Sequence, residues 1–207
     1  MRFSPNFPLN LCMSFPMLCF AKQAVNSRCY KKEEKGMPAP TTHGSLEPWL
    51  RGTLRDAPAV PRAVLHALEL AREDLWKWCY SLSNAQLNER PSGMASVAFH
   101  LRHISRSLDR LLSYAEGRQL TPEQLEALQS EADIDGNHEN VLAELDAALL
   151  RSEERVRALA RDDLEAPRTV GKKKAPSTLG GLLVHVAEHT QRHVGQAITT
   201  AKIVASR

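Results

Sequence analysis

From about residue 61 to residue 204, apolar side chains recur at spacings of three and four, the signature of helices that bury one face. Val64, Leu65, Leu68, Ala71, Leu75, Trp78 and Cys79 predict a first helix from Pro61 to about residue 81. Proline suits its entrance because the missing N–H would be unpaired there anyway. A loop with Asn84, Asn88, Pro91, Ser92 and Gly93 follows. The stripe Val97, Leu101, Ile104, Leu108, Leu111 and Ala115 then predicts a second helix over about 94–116, with Gly117 as its stop. Thr121-Pro122-Glu123-Gln124 reads as the capped start of a short helix ending near Ser130. Residues 132–139 break the pattern with Asp, Gly and Asn, and a third long helix is expected over about 140–161. The segment 162–175, with Pro167, Gly171 and Lys172-Lys173-Lys174, reads as a loop with a solvated basic turn. A fourth helix should open at Pro176-Ser177-Thr178 and run to about Val204, roughly 28 residues or 42 Å. Strand-like alternation and internal repeats are missing from the pattern. The expected fold is all-α, a four-helix bundle in which two connections are too long for simple hairpins.

The length of 207 residues suffices for a core without disulfides or structural metal. Hydrophobic residues at 43% and charged residues at 25% match a soluble globular chain rather than a disordered or multi-span one. The net charge of +3 comes from one end. The first 36 residues hold six basic side chains (Arg2, Lys22, Arg28, Lys31, Lys32, Lys35) against Glu33 and Glu34, which leaves 21 basic against 22 acidic residues elsewhere. A body of charge −1 lacks the electrostatic footprint of a nucleic-acid binder. Residues 1–36 read as a disordered or spurious extension, with Met37 as the start. The alternative of a targeting signal is weakened by Pro5, Pro8 and Pro16, which break its apolar run. Residues 37–57 are expected to form an arm or linker, with Trp49 and Leu50 as an apolar pair able to dock. The bundle occupies 58–207. Three of the four cysteines (Cys12, Cys19, Cys29) lie in the extension, so the body, with Cys79 alone, can form no disulfide framework. A cytoplasmic protein with no membrane association is the corresponding expectation.

Candidate chemistry lies in the histidines. His185, His189 and His193 stand at i, i+4 and i+8 on the fourth helix, along one side of it. Two imidazoles one turn apart can share a transition metal, with a third ligand from a facing helix. His100 and His103 on the second helix offer that ligand. On a helical wheel His100 sits about 60° and His103 about 120° from the apolar stripe, so periodicity alone favours His100. The same wheel makes His185 the least inward of its ladder. Boundary histidines on helix flanks are the competing reading.

The segment Ser96-Val97-Ala98-Phe99-His100-Leu101-Arg102-His103-Ile104 resembles the helix-2 motif of the DinB/YfiT-like metalloprotein superfamily, and Glu188-His189-Thr190-Gln191-Arg192-His193-Val194-Gly195-Gln196 is similar to its helix-4 motif. The resemblance covers about residues 58–205, including a long connection between helices 2 and 3. It implies a DinB-like bundle topology and a metal held by His103, His189 and His193. His100, His185, Glu188 and Gln196 then become supporting or surface groups, and the metal is expected to be zinc or nickel. No catalytic residue is assigned. The resemblance implies a metal-dependent hydrolase, or a thiol-dependent S-transferase acting with a low-molecular-weight thiol such as bacillithiol or mycothiol on a small-molecule substrate.

A site of three histidines leaves positions open, unless Glu69, Glu73 or Asp146 closes it from across the bundle. The alternative function is a non-catalytic, metal-stabilised bundle acting as a dimerising stress-response or interaction protein. A DNA-binding role is opposed by the charge of the body. Trp76 and Trp78 lie about 200° apart on one helix, so one should face outward. That favours a homodimer, unless the arm near Trp49 or the short helix after Thr121 covers the outer ring.

Overall fold

The computed structural model describes residues 46–131 and 137–206. The extension 1–36, residues 37–45 of the arm, residues 132–136 and residue 207 lie outside the described residues. The described chain is mostly helical. Its helices are α1 (Ala59–Cys79), α2 (Asn84–Asn88), α3 (Val97–Ala115), α4 (Pro122–Gln129), α5 (His138–Ala158) and α6 (Leu179–Ala205). One antiparallel strand pair, β1 (Pro167–Val170) and β2 (Ala175–Thr178), precedes α6.

Side-chain caps place the helix starts. Ser96 Oγ accepts the Phe99 N–H at 3.2 Å, so α3 begins at Val97 rather than near Met94. Thr121 and Gln124 form a reciprocal capping box at α4. Asn137 accepts the N–H groups of Glu139 and Asn140, and α5 opens two residues before the expected position. At the far end of α3, Gly117 (φ +78°) donates its N–H to Tyr114 O while Arg118 donates to Ser113 O. This αL closure turns the chain sharply towards α4. Helix α2 was not expected, because five residues are too few for a helical period. Its signal is local: Ser83 and Gln86 cap each other.

The strand pair corrects the expectation of a loop over 162–175 and of a helix opening at Pro176. Its register is Pro167 with Thr178 through Val170 with Ala175, and Lys172, Lys173 and Lys174 form its exposed turn. Thr178 thus belongs to a strand, and its Oγ1 caps α6 by accepting the Gly181 N–H. Arg168 Nε donates to Ala115 O at 2.6 Å and anchors the hairpin to the end of α3. Gly180 donates to Leu164 O at 2.8 Å, and a Cβ there would stand 3.2 Å from that oxygen. Glycine is what lets the loop approach the first turn of α6 so closely.

Helix α6 packs along both α1 and α3, and α5 packs against α3 and α1. Leu68 and Leu75 of α1, Leu101, Ile104 and Leu108 of α3, Leu145 and Leu149 of α5, and Leu183 and Val186 of α6 are fully buried. Interdigitated aliphatic side chains of this kind are the main source of stability in a helical core. Cys79 is buried there, and burial pushes its thiol up to about 12. No helix among the described residues is long and apolar enough to cross a membrane.

The described end of the arm docks differently from the expectation. Arg51 donates to Glu69 at 2.9 Å and to Glu73 at 2.6 Å, pinning the Pro48–Leu50 turn to α1, while Trp49 and Leu50 stay exposed. Trp76 is also exposed, with its ring 6.4 Å from that of Tyr80. Trp78 packs inward, and Lys202 Nζ lies 4.2 Å from its ring centre.

Candidate metal centre

Contact between α3 and α6 brings the two histidine motifs together. His103 Nε2 lies 3.0 Å from His189 Nε2, and the His103 ring centre is 4.3 Å from that of His193. One ligand atom from each of the three lies within 4.8 Å of the others, and each side chain is half-buried. The Phe99 ring stacks on His103 at 5.6 Å and a 14° tilt, restricting its plane.

His100 is more deeply buried than His103, as the wheel reading requires, but it does not join the three. Its Nδ1 lies 3.4 Å from His193 Nδ1. The cluster sits on the flank of the α3–α6 seam, so the phase that points into the core differs from the phase that points into the site. His185 Nδ1 lies 2.7 Å from Glu188 Oε1, and exposed Glu188 also reaches Arg192 at 3.8 Å. Both therefore belong to a surface network. Gln196 is exposed and lines, with His100, Arg192 and Thr199, a separate cavity of about 470 Å³.

The carboxylates that were candidates for closing the site are engaged elsewhere. Glu69 and Glu73 hold Arg51, and Asp146 is hydrogen-bonded to the Tyr80 phenol. Among the described residues no Cys, Asp or Glu joins the three-histidine group.

A residue that the sequence reading missed supports the site. Glu131, just beyond α4, is buried with its Oε2 2.7 Å from His103 Nδ1, and Arg110 donates Nη1 to its Oε1. Burial alone would raise the Glu131 carboxyl, but the bonds to His103 and Arg110 outweigh it and hold the carboxyl below its ordinary range. An ionised carboxylate only accepts, so His103 donates its Nδ1–H to Glu131 and turns Nε2 towards His189. The one hint in the sequence is Arg110, two turns from His103 on the same face. A cation buried there needs a carboxylate from elsewhere.

Burial first, and neighbouring imidazole charge second, push His189 and His193 down to about 4. They are neutral at pH 7, which is the form that ligates metal. Beside them lies a cavity of about 240 Å³, lined by His103 and His189 on one wall and by Ser107, Arg110, Leu111, Tyr114, Leu120 and Leu128. Three imidazoles from two helices, one of them oriented by a carboxylate, fit a transition-metal ion by number, donor type and proximity.

The family model of the DinB superfamily matches residues 67–197, a span that contains both histidine motifs and the segment between them. The chain belongs to the DinB superfamily. No curated protein matches it.

Proposed function

We propose that this DinB superfamily protein is a metal-dependent enzyme built on a four-helix bundle with DinB-like connectivity. In this reading His103, His189 and His193 hold one divalent transition metal, zinc or nickel. The observation that carries it is the three-histidine group, with its ligand atoms within 4.8 Å beside a cavity that two of the three line. A metal so held keeps positions open, the arrangement of catalytic rather than structural sites. Once bound, the ion supplies Lewis acidity, drawing the pKa of a water or thiol towards neutral. The residues of the chain do the rest. Glu131 keeps the proton on His103 Nδ1, Phe99 fixes the ring, and Leu111, Leu120 and Leu128 give the cavity an apolar wall.

The resemblance to the superfamily, with which that chemistry is compatible, supports two reaction classes: hydrolysis of a small molecule, or S-transfer from an activated low-molecular-weight thiol. Buried Cys79, held protonated, supplies no nucleophile of the protein's own. The test is metal content of the purified chain, followed by azide titration of the cobalt-substituted protein. One metal per chain and an azide-dependent visible spectrum are expected. A stoichiometric metal whose spectrum ignores every added ligand would instead support the non-catalytic bundle.

A further inference from the structure

The cavity beside the three histidines has a chemical character of its own. At about 240 Å³ it holds roughly eight non-hydrogen atoms, taking about 30 Å³ for each as for a water in the liquid. Its far wall is apolar: Leu111, Leu120, Leu128 and the ring of Tyr114 face it. Leu128 is 43% exposed, a large aliphatic surface that an occupant of the cavity would cover.

Charge decides the other end of the occupant. Imidazole donors contribute no negative charge to a divalent ion. The nearby carboxylate, Glu131, is committed to Arg110 and to His103 Nδ1. The Arg110 and Glu131 charges cancel, so a bound ion leaves an uncompensated positive charge at the mouth of an apolar cavity. A ligand that answers both features has one anionic donor group and a short apolar body.

We propose, resting on the metal-site reading, that the cavity takes a compact anion with an apolar body, an aliphatic thiolate or carboxylate of about eight non-hydrogen atoms. The head group faces His103 and His189, and the body lies on Leu111, Leu120 and Leu128. This class differs from the sugar thiols that the family resemblance implies. A polyhydroxylated body would lose water from its hydroxyls against a wall of three leucines, at a cost hydrogen bonds there do not return.

The experiment uses the full chain loaded with cobalt and reads dissociation constants from the visible spectrum. Azide serves as the bodiless anion. Straight-chain carboxylates from acetate to octanoate vary the body at constant head group, and pentanethiol against 1-thioglycerol, a polyhydroxylated thiol of the same size, varies its polarity at constant donor. The expected result is a dissociation constant that falls up to about fourfold per methylene and levels off once the cavity is full, with pentanethiol binding tighter than 1-thioglycerol. Leu128→Asn, which removes the apolar wall without adding charge, should flatten the chain-length series while leaving the azide constant within twofold, and Leu120→Ala should halve its slope if the first variant folds poorly. A flat series, or tighter binding of 1-thioglycerol, with azide binding intact would overturn the proposal and leave the metal site standing. Failure to take up cobalt, or indifference to azide, would overturn the metal reading itself.

Discussion

Glu131→Gln removes one charge from a buried three-residue chain, and its consequences divide cleanly between stability and metal binding. In the protein Glu131 accepts from His103 Nδ1 at 2.7 Å and from Arg110, and both carboxylate and guanidinium are largely buried. The amide keeps an oxygen for one donor but loses the charge that holds Arg110. A charge-assisted bond of this kind contributes about 1.5–3 kcal/mol, so the metal-free variant should unfold more readily by about that amount. Metal affinity should fall independently. A neutral partner makes His103 Nε2 less basic and orients the ring less firmly, and losses of such partners cost about 10–100-fold in metal affinity.

Arg110→Met separates the two effects. It costs comparable stability by stranding the carboxylate, yet it leaves His103 Nδ1 with its charged acceptor. Zinc affinity in Arg110→Met should therefore equal or exceed that of the parent, whereas Glu131→Gln should lose at least tenfold. Competition against a chromophoric chelator measures the affinity, and urea denaturation of the metal-free proteins measures the stability. An unchanged zinc affinity in a folded Glu131→Gln protein would refute the argument that this carboxylate orients His103.

Alanine at His103, His189 or His193 should abolish stoichiometric metal, while His100→Ala and His185→Ala should retain it, as read by elemental analysis. Retention in His103→Ala would remove it from the ligand set. Metal-free protein should lose stability on acidification. Burial, reinforced by neighbouring imidazole charge, lowers His100, His189 and His193 to about 4, whereas unfolded histidines take up protons near 6.5. The unfolded state thus binds more protons between those values, and stability falls as pH drops from about 6.5 to about 4; a urea midpoint constant over that range would contradict it. Exposed Trp76 on α1 leads us to propose a homodimer through that face. Sedimentation at micromolar concentration should give twice the chain mass, and Trp76→Glu should give the monomer.

The parts of this molecule legible in its sequence are those governed by local periodicity and local caps. The stripes of α1, α3, α5 and α6 are written in residues three and four apart, and Thr121 with Gln124 marks α4. The hairpin was not legible, because Pro167–Val170 and Ala175–Thr178 contain little apolar alternation. Its stability comes from Arg168 reaching Ala115 and from its place at the head of α6, which are relations across the fold. For the site, helical spacing grouped His189 with His193 but favoured His100 over His103. Burial follows the core phase of α3, and the site lies off that phase, so only the family resemblance pointed to His103. Glu131 was invisible for a related reason: its partners are 21 and 28 residues away, and no periodicity links them.

Whether the metal would stabilise the fold or serve chemistry turns on what else holds the helices together. In small metal-dependent domains, ligands replace a core that is too small to form. Here Leu68, Leu75, Leu101, Ile104, Leu108, Leu145, Leu149 and Leu183 are wholly buried without contact to solvent, whereas the three histidines are only half-buried on a flank. The helix starts are satisfied by Ser96, Thr121, Asn137 and Thr178, none of which is a metal donor in this site. Chelation should therefore leave helical content at 25 °C unchanged by far-ultraviolet circular dichroism. It should still lower the melting temperature, because any ligand of the native state stabilises it by mass action, about 4 kcal/mol at a thousand times its dissociation constant. The melting temperature alone thus cannot distinguish the two roles, but the room-temperature spectrum can. Loss of helix on chelation at 25 °C, restored by stoichiometric zinc, would mean that the leucine core is insufficient and that the three histidines serve the fold before they serve any reaction.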